Sequence, residues 1–136
     1  MKIESITEIT DEILNGIQSI HSTTRDEIDY RKGDTFFIAR EKGVIIGYAH
    51  SRFSAFTLLA LYVLKEHRNS KINVGSSLLL ETLGSLKTNG VNRIQAGIEP
   101  SNKEVIPFYE KYGFGSPQVG KTGFTTLTYN APCQNT

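Results

Sequence analysis

Apolar side chains change their period several times along the chain, and each change marks an element. "KIESIT" can form a first strand. Over residues 10–20, Ile13, Leu14, Ile17 and Ile20 recur at helical spacing. The acids Asp11 and Glu12 precede them and suit the positive end of a helix dipole. "HSTTRDEIDYRKGD" has no apolar period and reads as a loop or a short helix. Three β-branched and aromatic runs follow, "TFFIAR", "GVIIGYAHS" and "FTLLALYVL", each of strand length. "EKG", residues 41–43, joins the first two as a hairpin. The third run is apolar almost throughout, which predicts a strand covered on both faces. Residues 74–88 read as a helix with Leu79, Leu83 and Leu86 on one face and Asn89-Gly90 as its stop. "VNRIQAGIE" is the next strand. Ser101 and Glu104 then stand at capping-box spacing, ahead of the helix body "VIPFYEKY" and its left-handed exit at Gly113. Pro107 lies within that body and deletes one backbone bond, which predicts a kink. "TGFTTLTY" is the last strand. Strands on both sides of a helix require a parallel pair, so the pattern predicts a mixed α/β sheet.

Bulk properties narrow the field. A chain of 136 residues suits one domain with one core, spanning residues 1–136. A net charge of +1 leaves no electrostatic footprint for nucleic acid or an anionic membrane, and neither is an expected partner. The most apolar run, residues 56–64, is far shorter than the ~20 residues that span a bilayer. One cysteine, Cys133, cannot close an internal disulfide, and with 3 histidines beside it no structural metal site is expected. "MKIESITEITDEIL" has early acids and lacks the apolar centre of a secretory signal, so a cytoplasmic protein is expected.

Two segments compete as phosphate sites. "GSPQVGKT", residues 115–122, matches G-x-x-x-x-G-K-[ST] at every fixed position. That motif works only when a strand precedes it and a long helix follows, because the helix start supplies the N–H groups and the dipole. Here Gly123 and then a strand pattern follow, so the segment reads as a polar hairpin turn with Lys121 in solvent. "HRNSKINVGSSLLLETL", residues 67–83, is spelled worse, with Gly75 alone and with Lys71 and Asn73 where glycines are expected. Its context is better: it leaves an apolar strand and opens a helix.

Together with "EPSNKEVIPFYEKYGF", this loop resembles the GNAT superfamily of N-acetyltransferases. The second segment carries the family's asparagine and its aromatic-Tyr-x-x-aromatic-Gly-Phe run in Asn102, Phe108, Tyr109, Tyr112, Gly113 and Phe114. The first is similar to the family's V-x-P-E-x-R-x-x-G-x-G-x-x-L-L through Val63, Glu66, Arg68, Gly75, Leu78 and Leu79. The strand order also agrees, and the resemblance covers residues 35–129. It implies a mixed, partly parallel sheet of six to seven strands, splayed at its centre and flanked by about four helices.

The resemblance further implies acetyl-CoA as cosubstrate and a direct transfer of its acetyl group to a primary amine of a small molecule or protein. The strand edge at Leu61, Tyr62 and Val63 would pair with the amides of the pantetheine arm, a form of β-augmentation. Arg68, Asn69, Ser70, Lys71, Asn73, Val74, Gly75 and Ser76 would hold the pyrophosphate, and Asn102 would contact the arm. Tyr109 falls on the family's general acid, a phenol of pKa about 10 that is neutral at pH 7. Each residue has a plainer reading. Tyr109 and Tyr112 could be core aromatics, Asn102 a helix-start residue, and Arg68 and Lys71 solvated charges.

The chain departs from the family in two places. Gly75 stands seven residues after Arg68, where the family has five. A loop two residues longer puts Asn73, which tolerates a left-handed backbone, on the other glycine. The glutamate that many members carry on the strand before the loop is missing. Glu99, acting through a water, or His50 could serve as base, or proximity alone could suffice. These departures motivate an alternative, a non-catalytic CoA-binding or interaction module. The acceptor stays open among peptide N-termini, lysine side chains, polyamines and aminoglycosides. In the family the segment before the second strand selects it, here with Asp26, Glu27, Asp29 and Asp34 beside Arg25, Arg31 and Lys32. A homodimer is common among such proteins.

Overall fold

The turn chemistry and the apolar runs build a seven-stranded sheet. The computed structural model describes residues 1–20, 30–67 and 73–132. Its elements are β1 (Lys2–Ile6), α1 (Asp11–Ile20), β2 (Thr35–Glu41), β3 (Val44–Arg52), β4 (Thr57–Val63), α2 (Val74–Gly84), β5 (Arg93–Ile98), α3 (Ile106–Lys111), β6 (Gly115–Val119) and β7 (Thr125–Asn130). Short 3₁₀ turns lie at Phe53–Ala55, Lys65–His67 and Pro100–Val105. The strand order is β1-β2-β3-β4-β5-β7-β6. Only β4 and β5 pair in parallel; every other neighbour is antiparallel. The predicted β2–β3 hairpin forms, with Lys42 (φ 52) and Gly43 (φ 82) both left-handed as a two-residue turn of the primed type requires.

The sheet separates two apolar clusters. On one face Leu78 and Leu79 of α2 pack with Ile94, Ala96, Ile98, Leu127 and the α3 residue Tyr109. On the other, Ile13 and Ile17 of α1 pack with Phe36, Ile38 and Tyr48. Thr10 starts α1 by accepting the Ile13 N–H on its hydroxyl at 3.3 Å.

Several expectations change. The segment 115–119 is a strand of its own, so "GSPQVGKT" lies in the β6–β7 hairpin, where the Gly120 N–H reaches the Phe124 carbonyl at 2.8 Å. Periodicity could not show β6, because it is an edge strand with little burial. The helix over 74–88 ends at Gly84 and continues as turns to the left-handed Gly90. The capping box at Ser101 and Glu104 does not form. Ser101 bonds Glu99 at 3.5 Å, and a 3₁₀ turn precedes α3. Pro107 lies in the first turn of α3, where its missing N–H has no intrahelical partner to lose, and the irregularity sits at Asn102 (φ −125, ψ 28). β4 is half-exposed rather than covered on both faces, because it borders a slot.

Candidate active site

The slot follows from how β4 and β5 part. They pair only at Thr57↔Gln95 and Leu58↔Ala96. Beyond that point β4 stays with β3 as far as Gly47↔Val63, while β5 stays with β7 as far as Ile98↔Thr125. Residues 59–63 therefore border the gap without a register partner on β5. The gap is a cavity of about 990 Å³ that reaches from β4 and the start of α2 to the end of β5 and α3. That volume suits a substrate with a long arm.

The expected cofactor residues converge here in part. Leu61, Tyr62, Val63, Asn73, Val74, Gly75, Ser76 and Asn102 all line the cavity. Arg68, Asn69, Ser70 and Lys71 lie outside the described residues, as do Arg25, Asp26, Glu27, Asp29 and Cys133. Asn73 precedes α2 without capping it by its side chain, and the first turn of this eleven-residue helix lines the cavity, where a helix start favours an anion. A Cβ on Gly75 would meet only Phe108 and Val63, at 3.7 Å each, so packing does not demand glycine there. What the glycine leaves is bare backbone facing the cavity. The helix start, the β4 edge that parts from β5 and the cavity of about 990 Å³ fit a diphosphate with an amide-bearing arm.

The tyrosines divide their roles. Tyr109 is 8% exposed, reaches the cavity, and sits edge-on to Phe108 and Phe114 at centroid separations of 5.4 and 5.2 Å. Burial pushes its phenol well above the ordinary value, and Tyr62 adds to the effect. Tyr62 lines the same cavity and stacks on buried Tyr48 at 5.9 Å. Tyr112 is structural: its hydroxyl bonds Ser76 Oγ at 2.6 Å and ties α3 to α2. The Ser76 side chain is thus engaged, which leaves its backbone N–H for a ligand.

The two base candidates part company. Glu99 directly follows β5, is exposed, and lines the cavity. His50 does not line it. Its ring is 4% exposed, stacks on Phe36 at 4.1 Å, and its Nε2 lies 2.7 Å from Asp34 Oδ2. Asp34 also accepts two bonds from Arg52, at 2.9 and 2.8 Å, and the Arg31 N–H at 2.9 Å. Burial raises this carboxyl, but the bonds from Arg52, His50 and Arg31 outweigh it and hold the pKa below the ordinary value. Asp34, considered as a collector of cationic amines, is spent on this cluster. Leu59, Gly97 and Phe124 also line the cavity, and no motif singles them out. Their placement depends on a bulge and on the β5–β7 register, neither of which hydrophobic period reveals.

Known proteins share this fold. A profile of the Acetyltransferase (GNAT) family matches residues 3–114. The chain belongs to the GNAT family of acetyltransferases. Comparison of the sequence with curated proteins gives no match. Among solved structures it is similar to the PaiA N-acetyltransferase of Thermoplasma acidophilum in complex with coenzyme A, at 20% identity and TM-score 0.70, covering 96% of this chain and 99% of that one. The ribosomal-protein-alanine N-acetyltransferase of Brucella melitensis is similar at 20% identity and TM-score 0.68, covering 94% and 97%. The yncA protein of Salmonella typhimurium, solved with its cofactor acetyl-CoA, is similar at 20% identity and TM-score 0.69, covering 100% and 98%. At that identity these likenesses speak for the fold.

Proposed function

We propose that this chain is an acetyl-CoA-dependent N-acetyltransferase that passes the acetyl group directly to a primary amine. The observation that carries the reading is the gap between β4 and β5, with the start of α2 on one side and Tyr109 at its wall. The backbone of Leu61, Tyr62 and Val63 pairs with the arm of the donor. The N–H groups of Val74, Gly75 and Ser76 take the pyrophosphate, and Asn102 faces the arm. The amine nitrogen attacks the thioester carbonyl, so the N–C bond forms as the C–S bond breaks. Glu99, through a water, takes the proton that the ammonium must lose. Tyr109 gives its proton to the departing thiolate and regains one from the nitrogen as the amide forms. The whole chain acts as one domain. A lone cysteine suits the reducing cytoplasm, where we place the protein.

Initial-velocity kinetics test the order of events. Direct transfer gives intersecting double-reciprocal lines when acetyl-CoA and amine are varied together. Parallel lines would mean an acetylated enzyme and would overturn the scheme. Binding of CoA without turnover of any amine would favour the non-catalytic module.

A further inference from the structure

Large apolar side chains left in solvent are ordinary when scattered singly. Here Leu59 and Phe124, 40% and 42% exposed, line the same cavity. Both are placed there by backbone features. The β3–β4 register runs from His50↔Ala60 to Ser51↔Leu58, which makes Leu59 the extra residue of a bulge, a device that re-aims a side chain. Leu59 belongs to neither apolar cluster. On the other side of the gap, the last β5–β7 pair is Ile98↔Thr125, so Glu99 and Phe124 stand one step beyond it, opposite each other. The left-handed Gly123 seats this corner. A Cβ on it would lie 2.9 Å from Pro100 Cγ, so the β6–β7 turn presses on the chain directly after Glu99.

Alternation puts Gly97, Glu99 and Phe124 on one sheet face. Ile94, Ala96 and Ile98 point into the cluster beneath α2 and α3, so Gly97 and Glu99 point the other way. Leu127 points into that cluster too, which leaves Phe124 with Gly97 and Glu99. Between them Gly97 keeps the floor open, with nothing within 4 Å of where its Cβ would stand. The result is a carboxylate beside an apolar corner, across an open floor from a second apolar side chain, at the wall of the gap where Tyr109 stands.

We propose that the acceptor is a primary amine borne on an apolar group, whose ammonium meets Glu99 while its apolar body lies over Gly97 between Leu59 and Phe124. This rests on the transferase reading and narrows its substrate class. Charge complementarity selects an amine over an acid. The apolar walls select against polyamines and hydroxylated amines, whose bodies would have to shed water against Leu59 and Phe124.

The test is thiol release from the full chain at saturating acetyl-CoA with 2-phenylethylamine, 3-methylbutylamine, phenylalaninamide, ethanolamine and spermidine. The apolar amines are expected to show kcat/KM at least ~10-fold above ethanolamine and spermidine. Phe124→Ser and Leu59→Ser should each raise KM for the apolar amines by about 10-fold with acetyl-CoA affinity unchanged, and Phe124→Leu should keep the preference. Melting temperature and acetyl-CoA affinity, measured on each variant, separate this loss from misfolding. Equal or better turnover of ethanolamine or spermidine by the native chain overturns the proposal and leaves the transferase standing. A preference that survives both serine variants overturns it as well. Absence of thiol release with every amine overturns the transferase reading and this proposal with it.

Discussion

A phenol held above its ordinary pKa stays protonated through the whole working range, which is the state a thiolate needs to meet. Tyr109 is in that position because burial, and then Tyr62, disfavour its anion. Removing its hydroxyl in Tyr109→Phe is expected to lower kcat by about 100-fold while the affinity for acetyl-CoA holds. Stopped-assay kinetics with equilibrium binding check both halves. Unchanged kcat would remove Tyr109 as the acid. The same shift makes a stability prediction. A tyrosine whose folded pKa is raised contributes stability that is full below its unfolded value of about 10 and lost as pH rises toward the folded value. Urea midpoints of the native chain should therefore fall above about pH 10, and less steeply in Tyr109→Phe. Asp34 works with the opposite sign. Its pKa is lowered, so its contribution is present above about pH 4 and lost as pH falls through the folded value. Asp34→Asn would take the carboxylate away from both Arg52 and His50. It is expected to cost about 3 kcal/mol in urea unfolding at neutral pH.

At the scale of elements, the start of α2 is the part of the site most open to direct test. Gly75 is its second residue, and its Cβ position has ordinary room, so a larger side chain can be introduced without clash. Gly75→Asp is expected to weaken acetyl-CoA binding by more than about tenfold, since an anion would occupy the place of a phosphate at a helix start. Its urea midpoint should barely move. If calorimetry finds unchanged affinity, the pyrophosphate does not bind there. What was legible in the sequence follows the same physics. β2, β3, β5, β7, α1 and the β2–β3 turn were readable because each is set by local period or local turn chemistry. The place of Tyr109 was readable from the "FYEKYGF" run. Local pattern could not show β6, whose edge position leaves it without an alternating buried face. It also missed the 3₁₀ turn that displaced the expected helix start at Ser101, because Ser101 bonds backward to Glu99. The Leu59 bulge and the Glu99–Phe124 corner are long-range register effects. The partner of His50 was hidden for the same reason: Asp34 sits sixteen residues away, beyond any local window.

The molecule as a whole places a gap between two sheet halves, β1 to β4 and β5 to β7, that share two residue pairs at the crossing. A ligand laid into such a gap replaces missing strand pairing and bridges the halves, so it should stabilise the fold as well as bind to it. Saturation at 100 times the dissociation constant adds about 2.7 kcal/mol to the unfolding free energy. Acetyl-CoA and free CoA are both expected to raise the melting temperature by the several degrees this implies for a chain of this size. ATP is the sharper control. It shares an adenine nucleotide with CoA but has no pantetheine arm to pair with residues 61–63. The segment that spells a nucleotide loop, "GSPQVGKT", is a hairpin with no helix start behind it. A melting curve raised by ATP but by neither CoA species would place the phosphate site at that hairpin and undo the assignment of the gap.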